Sequence, residues 1–349
     1  MLGEVQIERP YYYCKPCQAG HSPRDAAMRL GSGTLSPGAT RLVTLAGTVS
    51  SFAEAATKAL PELSGLRLGA STVERTTERV GAELGEKLAE GSVFGDSKPW
   101  EWTKDAEGKT CAYIAADSTG VGMQGPKGAK AEGRMAAVAM IWNAAEGKKG
   151  GEVRYVSGIT GGLAALGEPL RKQGGQVGMD GAERWVAISD GGIGIEDWIR
   201  VNFPRVEAVI LDFYHASEYL HEWSKACHPH DESAAGTLAD TLCHRLKHEG
   251  GQAVLDLLRI EGGVGAVREK VLGYFENQVH RMDYPSYLAK GWVIGSGSVE
   301  AACKQVVNAR LKGTGMRWGE PGADAVCHLR ALFRSEKCQW DAFWTALAG

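Results

Sequence analysis

The chain has 349 residues, 44% of them apolar, which is enough for a sizeable core and for more than one domain. Its formal net charge of −3 excludes a global basic field, so any contact with nucleic acid rests on local patches. No apolar run reaches the roughly 18 residues of a membrane span, no secretory segment is visible, and the eight cysteines are scattered apart from one C-x-x-C. These features read as a soluble cytoplasmic protein with reduced thiols.

Residues 1–35 begin with a strand-like alternation, and YYYCKPCQAGHSPRD then delivers Cys14 and Cys17, with His21 four residues on. Two thiolates at that spacing hold half of a tetrahedral Zn2+ site. Three readings follow: His21 and another group complete the site, the numbering begins inside a longer chain carrying a first C-x-x-C, or these are plain thiols.

Residues 36–94 turn helical. Ser51, Phe52, Ala55, Ala56, Ala59 and Leu60 fall on one helix, which ends near residues 61–65, and a second begins near Ser71. Two helices about a glycine-containing turn resemble a helix-turn-helix, which would offer Ser71, Thr72, Arg75 and Arg79 to DNA. The alternative is a helical bundle packed on the main domain. The stretch 95–108, GDSKPWEWTKDAEG, is rich in turn formers and charge and reads as a linker.

From residue 109 strands alternate with helices. Strands are expected at 111–116, 134–143, 151–159, 185–189 and 206–211, with helices at 163–172 and 195–202. The order βββαβαβ suits a mixed sheet covered by helices. The first, fourth and fifth strands end on Asp117, Asp190 and Asp212. A single Asp there starts a turn, but three in one sheet would be held rigidly at a crevice. Converging carboxylates repel unless cations neutralise them, and Mg2+ or Mn2+ suit oxygen ligands.

Asp212 leads into Phe213-Tyr214-His215 and a helix over 216–225. The D-x-x-H spacing either puts acid and imidazole together at the crevice or leaves His215 as a structural hydrogen-bonding group. Residues 227–290 are largely helical, with glycine breaks at 250–251 and 262–263, and read as an insertion. In GWVIGSGSVEAACKQVVNARLKGTGMRWGE a helix starts near Ser298, with Glu300 in its first turn and Lys304 four residues on. That pair is either a surface ion pair or a carboxylate set among basic residues: between 303 and 337 seven Lys and Arg stand against three Asp and Glu. Trp318, Trp340 and Trp344 read as packing residues.

Asp117 after a first strand, Asp190-Gly191 after a fourth, Asp212-Phe-Tyr-His215 and Gly295-Ser-Gly-Ser-Val-Glu300, followed by Arg310-Leu-Lys312 and Gly315-Met-Arg-Trp318, together resemble bacterial insertion-sequence transposases of the Kra group. The resemblance covers essentially the whole chain. It implies a DDE enzyme with an α/β, ribonuclease-H-like mixed sheet, its core split into 109–226 and 291–349 around a helical insertion at 227–290. A partial zinc-ribbon-like segment, 1–35, and a DNA-binding region, 36–94, would precede it. The implied triad is Asp117, Asp190 and Glu300 holding two Mg2+ or Mn2+ ions, with Asp212 and His215 in support.

The fold places its second acid after the fourth strand, which favours Asp190; if an early strand is spurious, Asp212 takes that place. Lys304, Arg310, Lys312 and Arg317 would grip phosphates, and Arg75 and Arg79 would meet the terminal inverted repeats. Partners would be the element's ends and target DNA, bound by a homodimer. Family members usually carry further cysteines before this first strand. The alternatives are a two-metal nuclease of the same fold and an inactive, truncated DNA-binding remnant.

Overall fold

The structure, a computed structural model, describes residues 8–27, 35–126, 129, 131–144, 151–260, 265–295 and 297–348. The strand-like opening, the 145–150 turn, the 262–263 glycines, Ser296 and the side chains of Ser298 and Lys337 lie outside the described residues. The β-branched and apolar runs of the middle third form five strands: β1 (Cys111–Val121), β2 (Arg134–Trp142), β3 (Val153–Gly158), β4 (Arg184–Ser189) and β5 (Val206–Leu211). They make one mixed sheet in the order β3-β2-β1-β4-β5. β2 runs antiparallel to β1 and β3, whereas β4 is parallel to both β1 and β5. The chain is therefore α/β, with the expected βββαβαβ succession.

Strand alternation sorts the side chains into two layers. Cys111, Tyr113, Ala115, Val186, Ile188 and Ile210 enter a core shared with the helices of residues 213–334. Ala112, Ile114, Ala116, Ala187 and Val209 enter the other, beneath helices Gly167–Gln176 and Ile195–Asn202. We call these the first and second faces.

Three expectations need correction. β1 does not stop at Asp117: its ladder with β2 continues through Ser118, Thr119 and Gly120 to Val121, because β2 extends equally far. The 95–108 stretch is not a free linker, since Trp100 and Trp102 are buried in the second face and Trp100 donates its indole N–H to Glu336 at 2.7 Å. The helix expected at 163–172 is a 3-10 turn, Gly162–Leu166, running into an α-helix, Gly167–Gln176.

The region 36–94 holds helix Pro37–Val49, a helical stretch from Phe52 to Ser64 that widens to π geometry at Ala55–Ala59, and helix Ala70–Ala89. The last of these buries Val73, Thr77, Val80, Leu84 and Leu88. It lies so close to helix Glu320–Arg334 that a Cβ on Gly81 would sit 2.4 Å from the Ala325 carbonyl oxygen. One face is thus packed as a bundle on the core, while Arg75 and Arg79 stand exposed. Trp318, Trp340 and Trp344 are buried, as packing residues should be. Within 227–290 the described residues form helices Glu232–Glu249, Gly251–Ile260, Ala266–Gln278 and Tyr284–Ala289.

Candidate active site

The sheet register brings the acids together. Ala115 of β1 pairs with Ile188 of β4, and Ser189 of β4 with Leu211 of β5. Carried two residues beyond Ala115–Ile188 and one beyond Ser189–Leu211, the same registers set Asp190 beside Asp117 and Asp212 beside Asp190, all on the first face, and the Asp212 N–H donates to the Ser189 carbonyl at 2.9 Å. Parallel strands hold such a row at one level.

Asp117 accepts the Ser118 backbone N–H at 2.6 Å and the Cys303 thiol at 3.3 Å. Burial, followed by the charge of Asp190, pushes its carboxyl above the ordinary range, although the hydrogen bonds from Ser118 and Cys303 pull the other way. Asp190 accepts the Gly192 N–H at 2.9 Å through Oδ1, and its own carbonyl accepts the Tyr274 hydroxyl at 3.2 Å. Gly191 has φ +85°, and a Cβ there would fall 2.9 Å from Leu211 Cδ1 and 3.2 Å from the Tyr274 oxygen. Only glycine satisfies both the backbone and the space.

Asp212 is 6% exposed and accepts the Tyr214 N–H at 3.0 Å, capping helix Phe213–Cys227. All five strands are present, so Asp190 does follow the fourth. His215 lies half-buried, its Nδ1 3.4 Å from Glu218 Oε2, with its ring edge-on to Tyr219 and Tyr274.

Glu300 lies in the short helix Gly297–Ala302, exposed, with Oε1 2.6 Å from Lys304 Nζ. The ion pair that the i,i+4 spacing suggests is therefore formed. The same helical stretch buries Val299, Ala302, Cys303, Val306 and Val307 on the first face, and Cys303 ties it to Asp117. Glu300 thus stands one turn before a residue that touches the acid row. Among the described residues, no group of three or more His, Cys, Asp and Glu is gathered closely enough to hold a single metal ion. Asp117 and Asp190 come together; Glu300 is engaged by Lys304.

The basic residues divide sharply. Lys312 donates to the Thr119 hydroxyl, which in turn donates to Asn308 Oδ1 at 3.3 Å. Thr119 follows Asp117 by one alternation of β1, so this cation sits at the acid end of the sheet. Lys312 and Arg317 are exposed.

Arg310 is not a phosphate grip. It is 2% exposed, its guanidinium lies 4.5 Å from the Phe52 ring and 4.8 Å from the Trp318 ring, and its Nε donates to the Gly47 carbonyl at 2.9 Å. Burial and the nearby Arg330 bring its pKa down to about 10. A planar, weakly hydrated guanidinium suits an aromatic sandwich, and here it fastens the N-terminal helices to the core.

Cys14 and Cys17 lie on an exposed hairpin of strands Tyr12–Cys14 and Ala19–His21. Hydrogen bonds from Cys17, backbone and then side chain, pull the Cys14 thiol down. His21 pairs with Tyr12, and the described residues bring no third ligand to the two thiols. Sequence reasoning missed Cys303 and Tyr274 as neighbours of the acids. The helical spacing that carries Glu300 inward could have flagged Cys303, whereas Tyr274 lies 84 residues from Asp190 and has no local signal. A scan against protein-family models finds no match for the chain, and a search of curated proteins finds no significant one.

Proposed function

We propose that this chain is a metal-dependent DNA strand-transferring enzyme of the DDE transposase type, acting on the ends of an insertion sequence. The observation that carries this reading is the acid row. Asp117 and Asp190 share one face of the sheet, and burial together with the charge of Asp190 holds Asp117 above its ordinary pKa. The strand order β3-β2-β1-β4-β5, with β2 antiparallel to its neighbours, supports a ribonuclease-H-like fold.

The donor set fits Mg2+ or Mn2+, since carboxylate oxygens are hard ligands and neighbouring negative charges gain from a cation between them. Asp117 and Asp190 would hold the ions, with Glu300 as third acid and Asp212 and His215 in support. Two bound ions would supply Lewis-acid activation of a water or 3′-hydroxyl for in-line attack at phosphorus. Glu300 can join by leaving Lys304, because an exposed i,i+4 pair contributes only about 0.2–0.5 kcal/mol. That exchange frees Lys304 for a phosphate beside Lys312 and Arg317.

Arg75 and Arg79 face solvent and would meet the terminal inverted repeats. Strand transfer joins paired ends, which suits a homodimer on DNA in the bacterial cytoplasm. No helix among the described residues is long and apolar enough to cross a membrane. Cys14 and Cys17 would supply two of the four ligands of a structural Zn2+.

The test incubates the full chain and Mn2+ with DNA carrying the element's ends and a target plasmid. The expected result is cutting at the ends and joining to the target, both lost in Asp117→Asn, Asp190→Asn and Glu300→Gln and weakened in Asp212→Asn. Cutting without joining makes the chain a nuclease, and end binding without cutting under any metal makes it an inactive remnant.

A further inference from the structure

The 227–290 insertion reaches back to the main chain that carries the acids. The Tyr274 hydroxyl donates to the Asp190 carbonyl at 3.2 Å, and the Gln278 amide donates to the Gly191 carbonyl at 3.3 Å. Arg281 donates through Nε to the Val209 carbonyl at 3.1 Å and through Nη2 to the Ser189 hydroxyl. The Tyr284 hydroxyl donates to the Leu211 carbonyl at 3.0 Å. Every acceptor lies on Asp190 or Asp212 or within three residues of one of them.

Two of these acceptors, Val209 and Leu211, belong to β5, an edge strand whose outer backbone groups have no neighbouring strand. Arg281 is 2% exposed, and a buried guanidinium is tolerated only when its donors are satisfied. Here they are, by Ser189, Val209 and the Gln278 side-chain oxygen at 2.9 Å, with Glu196 at 3.7 Å. Gly191, lacking a Cβ, leaves the space that Tyr274 fills. The Tyr274 ring also stacks on Tyr219, with centroids 3.8 Å apart and planes 7° from parallel, and meets His215 edge-on.

We infer that Tyr274, Gln278 and Arg281 are positioning residues of the insertion, which clamp the β4 and β5 ends so that Asp190 is held beside Asp117. This rests on the acid row being the reactive centre. The insertion is then part of the site's construction and not an appendage, and helix Ala266–Gln278 controls the geometry of the Asp190-Gly191-Gly192 turn. The tyrosine stack extends the same fixture to His215.

The test uses the full chain, wild type and the variants Tyr274→Phe, Gln278→Leu and their double, which keep most of the side-chain bulk and remove the donors to Asp190 and Gly191; Gln278→Leu also removes the acceptor that Arg281, a member of the same clamp, uses. Hydrogen exchange is followed in the peptide covering 189–194 and, as a control, in the helix covering 70–89. Alongside it, the Mn2+ concentration for half-maximal DNA cleavage and the KM for DNA are measured. The double variant should exchange faster in 189–194 alone and need about tenfold more Mn2+, the effect expected when outer-shell partners of a metal site are lost, with KM for DNA unchanged. Exchange at the wild-type rate in 189–194 overturns the clamp whether or not the chain cuts DNA. Exchange that rises equally in 70–89 also overturns it, because the effect is then general loosening. If the wild type fails to cut, the strand-transfer reading falls while the exchange comparison still decides the clamp.

Discussion

On the second face of the sheet Ala112, Ile114, Ala116, Ala187 and Val209 lie sealed beneath Leu170, Trp198 and the edge-on pair Trp100 and Trp102. On the first face the same strands present Cys111, Tyr113, Ala115, Val186, Ile188 and Ile210, and then, one alternation further on, Asp117, Asp190 and Asp212. The period of two serves both. It supplies a continuous apolar floor to each face, and on one of them it runs past the floor's edge into a row of carboxylates. Apolar packing and carboxylates are thus sorted by face and by depth, and under the proposed function substitutions should separate along the same line.

The largest expected effect is chemical. Asp190→Asn should lower Mn2+-dependent cleavage by roughly a thousandfold or more while leaving the unfolding midpoint in urea close to wild type. A fall of less than about tenfold in single-turnover cleavage would remove Asp190 from the reactive set. On the second face, Leu170→Ala should do the reverse. Its side chain is fully buried, so the cavity should cost about 2–5 kcal/mol in urea unfolding, with cleavage at low temperature preserved.

A third substitution probes the seam between β3 and helix Glu320–Arg334. Burial pushes the Asp324 carboxyl up, but the hydrogen bond and charge of His328 outweigh it, helped by the Ile159 and Thr160 groups, and leave a pKa of about 2. Because the folded pKa lies below the ordinary 3.8, this stability is present above that value and is lost as pH falls through about 2. Asp324→Asn should therefore lower stability above about pH 4, with the gap closing as pH falls towards about 2. A gap that stays constant over that range would mean that the carboxylate's charge contributes nothing.

The smallest effect separates two cations that look alike in sequence. Lys312→Ala should weaken DNA binding and reduce the salt slope by about 1, without loss of stability. Arg310→Met should leave the slope unchanged and lower stability, because the Gly47 carbonyl loses its donor and Phe52 and Trp318 lose the group between them. Equal salt slopes for wild type and Lys312→Ala would place Lys312 outside the DNA path.

Much of the fold was legible because it is local. Five strands and the helix Ile195–Asn202 follow from apolar runs of strand or helix length between glycine and proline breaks, and the Glu300–Lys304 pair follows from i,i+4 spacing. Ser118, Thr119 and Gly120 favour turns and so mark Asp117 as a strand end in the sequence, and only the length of β2 overrides them. The 95–108 stretch has the composition of a linker, and nothing local announces that Trp100 and Trp102 close the second face. Arg310 sits among basic residues as a phosphate ligand would, yet Phe52, far away in sequence, and Trp318, eight residues on, bury it between their rings. The clamp is the least legible part, since contacts such as Gln278 to Gly191 span 87 residues and leave no periodic trace.

The most direct measurement is a metal-preference switch at the acid row. DNA cleavage by the full chain is compared in Mg2+ and in Mn2+ for wild type and Asp190→Cys, since a thiolate binds the softer Mn2+ better than Mg2+. Under the proposed function, wild type cuts in either metal and stops in chelator, and the variant is inactive in Mg2+ but partly restored in Mn2+. Cleavage by Asp190→Cys that is equal in both metals, or wild-type cleavage that survives chelation, would contradict it.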